Sequence, residues 1–163
     1  MRSSYKLMTL ILLFASAVSQ AQVSRQPFML SKIDAPIVKE FQKAWHISGD
    51  GTAEVEGAVL IFSNADGSYR AVTLKPTNES RQVTFKWDPG IIAIVHTHPT
   101  CAIPEPYGQD LALADRFGVP VITITFKGMF MYDPTTKRIS KIKAWLDWFE
   151  PSRWTRRRYV ASN

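Results

Sequence analysis

A chain of 163 residues, 45% of them hydrophobic, is long enough for one ordinary domain with its own core. Its single cysteine, Cys101, excludes an internal disulfide, and no stretch reaches transmembrane length. Lys and Arg number 20 against 14 Asp and Glu, a net charge of +6, and the excess is local, because Arg153, Arg156, Arg157 and Arg158 crowd the C-terminus. That basic run, about residues 151–163, reads as a solvated tail, with weak contact to an anionic surface as the alternative.

Residues 1–21 read as a signal peptide. Arg2 and Lys6 form a basic start, residues 7–18 an apolar core too short to span a bilayer, and Ser19-Gln20-Ala21 a small-residue cleavage site. Cleavage leaves residues 22–163 as a single domain, secreted or periplasmic, for which nucleic acid is not an expected partner. Residues 22–33 look like an extended lead-in. Asp34 caps a helix that starts at Ala35-Pro36 and carries Ile37, Val38, Phe41, Ala44 and Trp45 at helical spacing. His46, in its last turn, suits the helix C-terminus better than a metal. Ser48-Gly49-Asp50-Gly51 breaks the helix, and residues 52–62 are expected as a strand with Glu54 and Glu56 on one side and Val55, Val59 and Ile61 on the other.

Asn64-Ala65-Asp66-Gly67 predicts a hairpin turn into a strand over residues 69–74, then a polar loop that holds a glycosylation sequon at Asn78. Residues 83–87 read as a short strand or a strand-like lead-in, and Asp88-Pro89-Gly90 as a turn. The β-branched run Ile91-Ile92-Ala93-Ile94-Val95 predicts a buried central strand. After an irregular run, a helix is expected to begin at Asp110 and end at Gly118. Val121-Ile122-Thr123-Ile124-Thr125 predicts another buried strand, followed by strands over residues 129–132 and 138–142. Trp145, Trp148 and Phe149 fall in an expected short C-terminal helix. The order of elements indicates an α/β fold, a central mixed β-sheet with helices packed on it.

The chemistry concentrates at Val95-His96-Thr97-His98-Pro99. Residues two apart on a strand share a face, so His96 and His98 project together where the strand ends. With the Asp110 carboxylate returning from the next helix they make a three-ligand set with room for water, the layout of a catalytic rather than a structural Zn2+ site. Cys101, just beyond, reads as a loop residue near the pocket.

Glu54-Val55-Glu56-Gly57, then His96-Thr97-His98-Pro99, then Asp110 resembles the JAB1/MPN/Mov34 (JAMM) metalloprotease pattern over roughly residues 52–132. The resemblance implies a JAB/MPN-like fold with cytidine-deaminase-like architecture. It also implies zinc on His96, His98 and Asp110, and hydrolysis of an amide in a protein or peptide substrate by a water that an upstream glutamate deprotonates. Glu54 matches the commoner family spacing, with Glu56 the alternative. The family's serine three residues before the aspartate, an oxyanion donor, is replaced here by Tyr107, and residues 100–109 contain no serine. A tyrosine hydroxyl can donate in its place. Two other readings stay open: a metal-stabilised binding module without catalysis, and a secreted effector or toxin domain.

Overall fold

The computed structural model describes residues 27–76 and 83–154. The expected signal peptide, the sequon at Asn78, and Arg156, Arg157 and Arg158 of the basic tail lie outside the described residues.

Helix α1 (Ala35–Ile47) forms where its signals place it. Asp34 is extended and its Oδ1 accepts from the Ile37 amide at 3.1 Å, with proline in the first turn. The stripe from Ile37 to Trp45 is buried. Beyond the helix the chain reverses sharply. Ser48 Oγ donates to the Trp45 carbonyl at 2.7 Å and accepts from the Gly51 amide at 3.1 Å, and Asp50 and Gly51 take positive φ values. The Trp45 indole fills the space that a side chain at position 51 would need.

The sheet is built from β1 (Ala58–Ser63), β2 (Tyr69–Thr73), β3 (Ile91–Thr97), β4 (Val121–Thr125), β5 (Gly128–Asp133) and β6 (Arg138–Ala144), in the order β2-β1-β3-β4-β5-β6. Its neighbours are antiparallel except β3 and β4, which are parallel and joined through helix α2 (Gln109–Phe117). A parallel pair requires such a crossover. Every residue of β3 and β4 is buried, as strands covered on both faces should be. Val59, Ile61, Val95, Ile122 and Ile124 pack with the α1 stripe on one face. Leu60, Phe62, Ile94, Val121 and Tyr132 pack with Ala114 of α2 on the other. The α/β fold with a mixed sheet is therefore as expected from sequence.

Three elements differ from expectation, and a fourth settles between two readings. The strand over residues 52–62 begins only at Ala58; the chain before it turns and bends, so its glutamates do not alternate on a ladder. The cause is Gly57, whose Cα abuts the Ala44 carbonyl so closely that a Cβ would overlap it. Helix α2 starts at Gln109 with Gly108 as N-cap rather than at Asp110, although Asp110 Oδ2 still accepts from the Tyr107 amide at 3.0 Å. Residues 83–87 run beside the sheet without a strand assignment, the strand-like lead-in of the two readings. In place of a C-terminal helix there are turns and a 3-10 segment, Pro151–Arg153. There Trp148 is fully buried, its Nε1 donating to the Thr125 carbonyl at 3.2 Å, while Trp145 is exposed on left-handed backbone.

Candidate metal centre

Strand β3 carries the site because its parity does. Ile94 packs on the α2 side of the sheet, and His96, two residues on, takes the same face. His96 pairs in register with Ala58 of β1 and Thr123 of β4, so the strand end is held from both sides. Both histidines are buried, and their rings meet edge to face at 4.8 Å between centroids.

The intervening residue has a separate task. Thr97 Oγ1 accepts from the Gly57 amide at 2.9 Å, and the Thr97 amide donates to the Gly57 carbonyl, also at 2.9 Å. These two bonds pin the segment before β1 against the end of β3, and Glu56 lies directly beside the pin. Its Oε2 stands 3.1 Å from His96 Nδ1. An ionised carboxylate only accepts, so His96 Nδ1 must donate. His98 Nδ1 lies 2.6 Å from the Ile103 carbonyl and must donate for the same reason.

In its neutral form each ring therefore presents its lone pair on Nε2, and both Nε2 atoms face Asp110. Asp110 Oδ1 is 3.0 Å from His96 Nε2, and Oδ2 is 3.5 Å from His98 Nε2. His96 Nε2 is buried with no hydrogen-bond partner, so the 3.0 Å approach is not directed as a hydrogen bond. Zinc bonds to nitrogen and oxygen of about 2.0–2.1 Å put neighbouring tetrahedral ligands on the order of 3.3 Å apart, and the two separations, one to each Asp110 oxygen, lie on either side of that value. A buried orphan lone pair, a carboxylate against it, and two imidazoles oriented through their opposite nitrogens fit a metal ion.

Glu56 belongs to the same cluster. One carboxylate oxygen of Glu56 and one ring nitrogen each of His96 and His98 lie within 4.8 Å of one another, so these three residues can hold a metal ion. Two carboxylates thus flank the histidine pair. Asp110 reaches the two Nε2 atoms at 3.0 and 3.5 Å, whereas Glu56 approaches His96 through Nδ1 at 3.1 Å. Electrostatics agree with a site built for positive charge. Burial alone would lower the His96 pKa, but the Asp110 and Glu56 carboxylates outweigh it and hold the group up to about 9. Burial would raise Asp110, yet its contacts with His96 and His98 hold it well below the usual carboxylate range. A bound cation would take the place of the extra imidazole proton.

The structure brings together His96, His98, Asp110 and Tyr107, whose half-exposed ring packs on His98 at 5.6 Å. Glu54 is exposed and lines neither cavity at the site, whereas Glu56 lines both. One cavity, of about 330 Å³, lies over His98, Pro99, Tyr107 and Asp110. The other, of about 320 Å³, continues past His96 between apolar walls. Cys101 is exposed and lines neither. Sequence reasoning missed Gln109, which borders both cavities, and the Ile103 carbonyl that orients His98. A carbonyl has no sequence signature; Gln109 could have been found as the first residue of the helix that brings Asp110.

No family model matches the chain, and neither does any curated protein or solved structure.

Proposed function

We propose that this chain is a secreted zinc-dependent hydrolase that cleaves an amide bond in a protein or peptide, with the JAB/MPN-like fold and site that the sequence pattern resembles. The observation that carries the reading is the buried, unpartnered His96 Nε2 beside Asp110 Oδ1, with His98 Nε2 facing the same carboxylate. Imidazole and carboxylate donors with space left for substrate suit zinc.

Held by His96, His98 and Asp110, zinc would supply polarisation of a carbonyl and a lowered water pKa, toward ~7. The chain does the rest. Glu56 accepts the proton of the attacking water and returns it to the leaving amine; it takes this role over Glu54 because its carboxylate reaches the histidines. His98, locked through the Ile103 carbonyl, keeps its ring oriented during turnover, and the ionised Glu56 orients His96 before the proton is taken up. Tyr107 borders the cavity over His98, and its hydroxyl is the donor to the oxygen on which negative charge develops.

Two variants test the assignment. Glu56→Gln should keep its metal and lose hydrolysis of an amide substrate, whereas Asp110→Asn should lose the metal. The reverse pattern, metal lost with Glu56→Gln and kept with Asp110→Asn, would make Glu56 a ligand and overturn its role as base. A metal-stabilised binding module is the second reading, favoured by the tyrosine at position 107 where the pattern has serine.

A further inference from the structure

Beside the metal centre, the cavity of about 320 Å³ has a mixed lining. Glu56, His96, Gln109 and Asp110 supply its polar part, and Val83, Phe85, Ile94 and Leu113 its apolar part. Its construction is specific. Val83, Phe85 and Trp87 are the partly covered residues of an extended segment, and Thr84 and Lys86 between them are exposed. Trp87 stacks on Phe117 of α2 at 4.0 Å between ring centroids and 15° between planes, which fastens the segment to the helix. Leu113 lies one helical turn before Phe117, on the same face, and lines the cavity together with Phe85. Phe85 and Leu113 both rest on the core beneath, yet neither is fully covered.

We propose that this recess is a specificity pocket for an apolar side chain, of the size of leucine or phenylalanine, adjacent to the amide that is cleaved. The inference rests on the hydrolase reading for the word cleaved, but the pocket itself is a property of Val83, Phe85, Ile94 and Leu113. Its volume is at the low end of ligand pockets, about 300–1,000 Å³, and suits one side chain rather than a large cofactor. The Val83, Phe85, Ile94 and Leu113 walls offer an ionised side chain no hydrogen-bond partner, so burying aspartate among them costs more than burying leucine or phenylalanine. Apolar atoms against Phe85 and Leu113 displace water from surface that is otherwise wet.

The test has a binding arm and a turnover arm. In the first, the full chain with 13C-labelled methyl groups is titrated with N-acetyl amides of leucine, phenylalanine, alanine and aspartate. The methyl resonances of Val83, Ile94 and Leu113 should move with the leucine and phenylalanine compounds and stay still with aspartate. In the second, the zinc-loaded chain is given peptides varied at one position, with products identified by mass. Leucine or phenylalanine beside the cut should exceed alanine by about tenfold or more in kcat/KM. Leu113→Trp fills the recess and should abolish both effects without changing zinc content. Leu113→Ala, which enlarges it, should shift preference toward phenylalanine and serves where the tryptophan variant does not fold. Methyl shifts without turnover would support the pocket and overturn the hydrolase. Turnover indifferent to side chain, or methyl shifts equal for leucine and aspartate, would overturn the pocket and leave the hydrolase standing.

Discussion

His96 Nε2 and Asp110 Oδ1 lie 3.0 Å apart with no hydrogen bond between them. A buried imidazole nitrogen in that relation to a carboxylate needs a third group, a proton or a metal ion, and the choice decides what the molecule is. The purified chain, supplied with zinc, should hold about one zinc per molecule by elemental analysis. His98→Ala should hold little, although it remains folded. A folded sample that takes up no zinc would reduce the histidine pair to a feature of the turn after β3.

Tyr107→Phe separates the hydroxyl from the ring. The ring packs on His98, and phenylalanine preserves that contact, so zinc content should be unchanged. Turnover of an amide substrate should fall on the order of 100- to 1,000-fold, the usual cost of losing one oxyanion donor. The loss should appear in kcat rather than KM, and unchanged kcat would place the donor elsewhere.

Glu40 ties α1 to the edge strand β2. Burial opposes its ionisation, but Lys43 and the amide and hydroxyl of Thr73 outweigh burial and lower its pKa from 4.5. A carboxyl depressed on folding adds stability that is fully present above its unfolded value and lost as pH falls through the folded one. In urea titrations the gap between the parent chain and Glu40→Gln should be constant from pH 7 down to about 5. It should close below about pH 4.5. A gap that widened on acidification would contradict the assignment.

Phe41 is fully buried under the sheet, whereas Phe126 is 51% exposed at the turn between β4 and β5. Truncating Phe41 to alanine should cost about 3–5 kcal/mol, since the cavity left cannot collapse around a packed helix. Phe126→Ala should change stability by less than about 0.5 kcal/mol. Chemical denaturation of both variants would show whether the core sits where the burial pattern places it.

Glu56→Gln, with metal retained and hydrolysis lost, completes the set and should be read beside Glu54→Gln. The structure predicts that the second variant keeps its activity, because Glu54 borders neither cavity. Loss of turnover with Glu54→Gln alone would return the proton-shuttling role to the residue that the family spacing favours.

Much of this was legible before any fold was built. The α1 stripe from Ile37 to Trp45, the buried runs of β3 and β4, and the positions of His96 and His98 follow from periodicity, which is local in sequence. Helix α2 and its left-handed Gly118 cap were legible for the same reason. Glu54 and Glu56 were not separable. Both have the parity of one strand face, and that argument presumed a ladder reaching back to residue 52. The strand in fact begins after Gly57, where the approach to the Ala44 carbonyl and the two bonds to Thr97 bend the chain. The tryptophans at the C-terminus misled in the same way, because Trp148 is held by the Thr125 carbonyl rather than by a helix of its own.

By itself the sequence determined which side chains could bind a metal and that two of them share a face, because strand geometry repeats every two residues. Tertiary structure alone decided which carboxylate meets which imidazole nitrogen. Those contacts join residues 40 positions apart for Glu56 and His96, through a loop shaped by packing against α1 and the end of β3. No pattern along the chain encodes a distance that only the folded sheet with α1 and α2 sets.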